Sequence, residues 1–227
     1  MALFLVATPI GNLEDLTHRA ERVLKEADFI AAEDTRHTGQ LLARLGIKAK
    51  LISFHEQNEE RRTPEILVQL QDGKNGALVS DAGTPGVSDP GFVLVRACHQ
   101  NEIPVYAVPG PSAVLAALVT SGLPTNRFLF EGFLPKKPGK RRKRLEHLRE
   151  LEATLIFFES PYRLARLLEE LKGTLGNRQA AVARELTKKF EETRTGNLSA
   201  LAEYYSAHPP KGEITVVVEG SSTEAAD

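Results

Sequence analysis

Twelve residues, Ser80–Gly91 with the sequence SDAGTPGVSDPG, have the composition of a loop that holds a small ligand against backbone amides. Gly83, Gly86 and Gly91 permit positive φ and close backbone approach, while Pro85 and Pro90 stiffen what the glycines loosen. Ala77–Val79 before the loop are apolar and β-prone, and Phe92–Cys98 after it have helical spacing. A strand therefore runs through the loop into a helix. Asp89-Pro90 reads as the helix start, an N-cap carboxylate followed by proline at the first helical position. Taken alone, the composition fits an ordinary strand-to-helix connection equally well. Three more stretches share the character: Thr8–Asn12, Pro109–Ala113 and Glu159–Pro161, each rich in small residues or proline after an apolar strand. Ligands of open α/β sheets bind outside the carboxyl ends of the strands, so four such loops indicate a ligand cleft better than any one of them. No GxGxxG follows the first strand and no GxxxxGK[ST] occurs, which leaves a dinucleotide fold or a P-loop without support.

Two charged constellations stand beside the loops. Glu33-Asp34-Thr35-Arg36 sets two carboxylates and a guanidinium at the end of an apolar strand. Lys136–Arg144, KKPGKRRKR, has seven basic residues in nine. A run of this kind is either a solvated face or a set of phosphate contacts, which would supply position and affinity without sequence specificity. Its density and its Pro138-Gly139 pair favour the second. Glu185 and Lys188 in RELTKK form a further candidate pair, a type more often found on a solvated face. Arg61-Arg62, Lys188-Lys189 and Arg36 could extend a nucleic-acid footprint.

The elements that must position these groups alternate along the chain. Strands are predicted at 3–7, 29–32, 51–54, 77–79 and 105–108, with helices at 17–27, 35–45, 56–70, 90–100 and 112–121 between and after them. That alternation indicates βαβ units and a mostly parallel sheet. The breaker-rich link at 121–126 marks a domain boundary, giving an N-terminal α/β domain over 1–120 and a C-terminal α/β domain over 121–219. In the second, strands are predicted at 127–130, 154–158, 180–184 and 214–219 and helices at 140–150, 162–171 and 198–205. Residues 220–227 read as a disordered tail.

Bulk properties narrow the class. With 227 residues, 41% hydrophobic and 26% charged, the chain can bury a substantial core. No apolar run approaches the ~20 residues of a membrane span, and the first residues lack a basic leader. The single cysteine, Cys98, excludes an internal disulfide, fits a reducing cytoplasm and reads as core filler, and six scattered histidines give no zinc pattern. The net charge of −1 hides an asymmetry: residues 1–120 hold 11 basic and 15 acidic residues, residues 121–227 hold 18 and 15.

Six separated segments, LVATPIGNLEDLT, AAEDTRHT, VSDAGTPGVSDPG, VPGPSA, GFLP and ARELTKKFEE, resemble in type and order those of the ribosomal RNA small-subunit methyltransferase I family, a branch of the tetrapyrrole methylase superfamily. The resemblance extends to about Gly220. It implies two α/β domains with S-adenosylmethionine folded in the cleft between them, a homodimer, and 2′-O-methylation of a cytidine ribose in small-subunit (16S) rRNA. By motif, Pro9, Asp81, Ala82, Gly83, Thr84, Gly86, Ser112 and Ala113 would line the cofactor, with Phe133 and Leu134 flanking its adenine. Lys136, Lys137, Lys140, Arg141, Arg142, Lys143 and Arg144 would contact RNA, within an assembled ribosomal subunit because the chain shows little stacking equipment and recognition would depend on RNA shape. A ribose hydroxyl needs a base as its new bond forms. Asp34 would be that base or orient the hydroxyl, with Arg36 holding a phosphate or lowering the hydroxyl's pKa. A plainer alternative has Asp34 capping the helix that begins near Thr35 while Arg36 pairs with Glu33.

Overall fold

The computed structural model describes residues 1–221, which divide into two compact units, Met1–Ser112 and the chain from Ala113 onward. The first unit is a βα alternation: β1 (Ala2–Val6), α1 (His18–Glu26), β2 (Phe29–Ala32), α2 (Thr35–Arg44), β3 (Leu51–Ser53), α3 (Glu59–Gln71), β4 (Asn75–Val79), α4 (Phe92–Gln100) and β5 (Val105–Val108). Its strands lie in the order β3-β2-β4-β1-β5, every pair parallel. Side chains alternate across the strands. Ile30, Ala32, Ala77 and Val79 therefore join Ala20, Val23, Leu24 and Leu42 of α1 and α2 on one face. Phe29, Ala31 and Leu78 join Ile66, Leu70, Leu94 and Cys98 of α3 and α4 on the other. Burial on both faces explains why these strands read as near-continuous apolar runs. Cys98 is buried in this core, and burial pushes its thiol up to about 11, so it is inert filler as its helical setting suggested.

The second unit contains α5 (Ala113–Thr120), β6 (Phe128–Phe133), α6 (Pro138–Leu148), β7 (Thr154–Glu159), α7 (Leu164–Leu175), β8 (Gln179–Arg184), β9 (Glu192–Asn197), α8 (Leu198–Ala207) and β10 (Ile214–Val218). Its sheet, β6-β7-β10-β8-β9, is mixed, with only β6 and β7 parallel neighbours. Leucines of α6, α7 and α8 pack on one face against Leu155, Phe157, Val182 and Val216.

Three expectations shift. The boundary expected after residue 120 falls one helix earlier, because α5 packs against β10 and groups with the second unit. α4 starts at Phe92 behind Gly91, with no side-chain cap, so Asp89 is not its N-cap. β9 is an additional strand. Of the expected tail, Gly220 and Ser221 are held in place, the Ser221 N–H donating to Leu151 O at 2.7 Å, and 222–227 lie outside the described residues.

Candidate functional site

Because every strand of the first sheet points the same way, the residues after β1, β2, β4 and β5 collect at one edge. The loops there are tied to each other by backbone. Thr8 and Gly83 exchange N–H···O bonds of 2.9 and 3.0 Å, and the Thr8 hydroxyl donates to Ser80 O at 3.2 Å. The Thr84 hydroxyl donates to Pro111 O at 3.4 Å, joining the loop after β4 to the one after β5. Gly83 and Gly86 stand at φ of +80° and +83°, conformations that a side chain would strain. A Cβ on Gly83 would meet Ile10 at 3.4 Å, whereas nothing lies within 4 Å of one on Gly86. The loop thus presents bare backbone beside open space. Gly83 and Pro85 are buried, Pro9, Asp81, Thr84 and Ser112 half-buried, and Ala82 and Gly86 exposed. Ala113, the last residue of that expected set, opens α5.

Carboxylates crowd this edge. Asp81 accepts the Asp34 N–H at 3.0 Å, joining the ends of the neighbouring strands β2 and β4. Glu33 is half-buried; its carboxyl pKa is raised by burial first, then by Asp89 and Asp81, against a hydrogen bond from the Asp81 N–H. Burial also raises Asp89, helped by Asp81, while the Ser80 hydroxyl bonded to it works the other way. Asp34 is the opposite case. It caps α2, accepting the N–H groups of Arg36 at 2.8 Å and His37 at 3.4 Å. Its second oxygen takes Arg36 Nη2 at 3.0 Å, and Arg36 first, then these amides, hold the carboxyl down to about 2. So the helix-capping role is real, and Arg36 pairs with Asp34 instead of Glu33. A carboxylate held that low is a weak proton acceptor, and Glu33 beside it is the stronger one. No signal within the segment AEDTR separates the two. What distinguishes them is that β2 and β4 are neighbours, which brings Asp81 and Asp89 against Glu33.

S-Adenosylmethionine at neutral pH carries a sulfonium, an ammonium and a carboxylate, and this edge offers the Asp81 and Asp89 carboxylates to its cationic centres beside glycine backbone with open space. In the second unit, Phe133 ends β6 and is exposed, its ring 5.6 Å from that of Phe158. Leu134 is buried in the leucine core, which removes it from the residues that could flank an adenine.

The basic run also divides. It is largely helix α6, entered through Pro138 at its first turn. Arg141 points inward, 4% exposed, and bonds Glu159 of β7 at 2.8 Å. It also pairs with Glu170 of α7, so it is a structural ion pair and not a phosphate contact. Arg142 pairs with Glu146 and Arg144 with Glu131 at the surface. Lys136, Lys137, Lys140 and Lys143 are exposed and make no ion pair among the described residues. Glu185 and Lys188 pair with each other at 2.9 Å. No group of three or more His, Cys, Asp or Glu able to hold a metal ion occurs among the described residues.

Comparison with known proteins gives a consistent picture. The sequence model of the Tetrapyrrole (Corrin/Porphyrin) Methylases matches residues 2–202. Proteins named ribosomal RNA small subunit methyltransferase I match over nearly all of this chain: 54% identity for that of Mesorhizobium japonicum, over 100% of this chain and 79% of the relative. That of Escherichia coli O157:H7 is 46% identical over 99% and 80%, and that of Thermotoga maritima 48% over 96% and 98%. Among solved structures, the methyltransferase CobJ superposes with a TM-score of 0.71 at 22% identity, covering 100% of this chain and 97% of that one. A uroporphyrin-III-C-methyltransferase from Thermus thermophilus gives 0.66 at 24%, covering 95% and 93%. These two share the fold.

Proposed function

The chain belongs to the tetrapyrrole methylase family and, within it, to the ribosomal RNA small subunit methyltransferase I group, and from that premise we propose that it transfers the methyl group of S-adenosylmethionine to the ribose 2′-hydroxyl of a cytidine in 16S rRNA. The observation that carries the reading is the near full-length identity of about half to relatives of that name. The acidic, glycine-lined edge of the first sheet supports it independently as the place for a cationic cofactor.

The sulfonium supplies an already activated methyl group, so the protein's share is alignment, exclusion of water and removal of one proton. Pro9, Asp81, Ala82, Gly83, Thr84, Gly86 and Ser112 hold the cofactor. Glu33 takes the hydroxyl proton as the new C–O bond forms, its raised pKa giving it more proton affinity at neutral pH than an ordinary carboxylate. Asp34 holds Arg36 outward, where the guanidinium can pair with an RNA phosphate. Lys136, Lys137, Lys140 and Lys143 neutralise further phosphates.

We place the enzyme in the cytoplasm, acting on an assembled small subunit. Among the described residues no helix is long and apolar enough to cross a membrane. A homodimer is supported by the apolar surface of α5, where Leu115 and Val119 are exposed; sedimentation of the purified protein reads it directly. The deciding experiment incubates the enzyme with labelled cofactor and undermethylated small subunits, then maps ribose methylation. One new 2′-O-methylcytidine is expected. Transfer to a tetrapyrrole instead, or cofactor binding without any transfer, would overturn the reading.

A further inference from the structure

Three loops of the second unit leave the same edge of its sheet. Phe133 is level with Phe158 across β6 and β7, and Ile214 of β10 is level with Glu159 on one side and Arg184 on the other. The carboxyl ends of β6, β7 and β8 are therefore aligned, spanning three strand spacings of about 4.8 Å each. The segments that follow them present Lys136 and Lys137, then Tyr162, then Lys189 and Phe190, all exposed. Tyr162 is 96% exposed and Phe190 64%. One exposed ring needs no explanation, but two exposed rings and three lysines leaving the same sheet edge have the composition of a recognition surface.

Neighbouring charges give this edge its sign. Glu159 is saturated by Arg141 at 2.8 Å, Arg163 at 2.7 Å and the Ser160 N–H at 2.8 Å. Glu185 is taken by Lys188 at 2.9 Å and the Glu213 N–H at 3.0 Å, and Glu191 by the Thr187 N–H at 2.7 Å. Lys136, Lys137 and Lys189 have no ion partner among the described residues. The loops that carry the rings are tied down, although the rings themselves are not. Glu159 and Arg163, on either side of Tyr162 in the chain, bond each other. The loop before Phe190 keeps Glu185 and Thr187 at positive φ of 50° and 66°, fixed by the bonds just named, a strained conformation that persists only when its surroundings impose it.

We propose that this edge is a platform for an unpaired stretch of RNA, with Tyr162 and Phe190 stacking on splayed bases and Lys136, Lys137 and Lys189 neutralising phosphates. Sequence-tolerant stacking combined with a cationic rim is the physical pattern of single-strand binding. The proposal rests on the RNA-methylating reading above, adds which surface receives the strand, and replaces the recognition by shape alone expected from the few aromatic residues, because two of those rings stand exposed.

The test compares wild type with Tyr162→Ala, Phe190→Ala, Tyr162→Phe and the triple Lys136→Ala/Lys137→Ala/Lys189→Ala variant. Each is titrated with a fluorescent single-stranded RNA and with a duplex of equal length, at several salt concentrations. Each ring deletion is expected to weaken single-strand binding roughly tenfold, with duplex binding little changed. Tyr162→Phe, which keeps the ring, restores it. The triple lysine variant flattens the slope of log K against log salt by about 2, at roughly 0.7 per lost phosphate contact. Unchanged single-strand affinity in both ring variants, with S-adenosylhomocysteine binding intact as the sign of a folded protein, overturns the platform. So does a change in sedimentation without a change in RNA binding, which would make the edge a contact between copies of this chain. Failure of wild type to methylate small subunits is a separate result and sinks the functional reading itself.

Discussion

The two sheets end in edges of opposite chemistry. At the first, parallel strands deliver small residues, glycine backbone and crowded carboxylates; at the second, mixed strands deliver lysines without an ion partner among the described residues and exposed rings beside acids that are hydrogen-bonded. The difference matches two kinds of ligand. A compact cation needs close backbone approach and uncompensated negative charge. A polyanion needs spread positive charge and flat apolar surfaces. The near-neutral net charge of the chain conceals both.

The largest expected effect breaks the acidic edge. Glu33→Gln should lower methyl transfer by roughly 10³, within the range for loss of a general base, while S-adenosylhomocysteine affinity is retained. In wild type, transfer falls on acidification through a Glu33 pKa that lies above its ordinary 4.5; in the variant that limb disappears. Stability has the opposite sign. A raised carboxyl pKa means the folded state binds the proton more tightly, so stability declines as pH rises from the ordinary value through the raised ones of Glu33 and Asp89. Urea midpoints against pH should show that decline in wild type and less of it in Glu33→Gln.

The next effect sharpens the basic edge by separating neighbours within one run. Arg141→Ala leaves the buried Glu159 carboxylate with Arg163 and the Ser160 N–H alone, takes a partner from Glu170, and should cost about 1 to 3 kcal/mol. Lys140→Ala, one residue earlier and exposed, should change stability by under about 0.5 kcal/mol. Equal effects would mean that α6 is not anchored through Arg141.

That contrast also marks what the amino-acid pattern can reveal. The βα alternation of the first unit was legible because its strands, buried on both faces, are continuous apolar runs. β9 was not, since Glu192–Asn197 is polar; its backbone ladder to β8 holds it, and the Arg194 guanidinium lies 3.7 Å from the Tyr204 ring and bonds its hydroxyl at 3.0 Å. The loops of the first edge were legible from glycine and proline. The choice between Glu33 and Asp34 was not, because it turns on strand order, and neither was the inward turn of Arg141, because a helix inside a basic run must still bury one side. Leu134 illustrates the same limit: one residue separates an exposed ring from a core leucine.

A smaller effect reads ligand approach in the glycine loop. Gly83→Ala and Gly86→Ala each place a Cβ at positive φ, at a cost of about 1 to 2 kcal/mol. Only at Gly83 does the new carbon meet protein, Ile10 at 3.4 Å. If the cofactor lies against the open side of Gly86, calorimetric titration with S-adenosylhomocysteine should show the larger loss of affinity in Gly86→Ala, although the denaturation cost is larger in Gly83→Ala.

The smallest effect concerns Asp34. Its depressed pKa means that the folded state binds its proton more weakly than the unfolded chain does. The stabilisation is therefore present above the ordinary value of 3.8 and is lost as pH falls toward about 2. Asp34→Asn keeps a side chain able to cap α2 but releases Arg36, so stability at neutral pH should barely change and its dependence between pH 4 and 2 should flatten. Methyl transfer should fall only a few-fold, through weaker RNA binding with a shallower salt slope, because the exposed Arg36 is no longer held in place. A loss matching that of Glu33→Gln would return the role of base to Asp34, and with it the idea that a strong local hydrogen-bond partner need not disqualify a carboxylate from taking a proton at this edge.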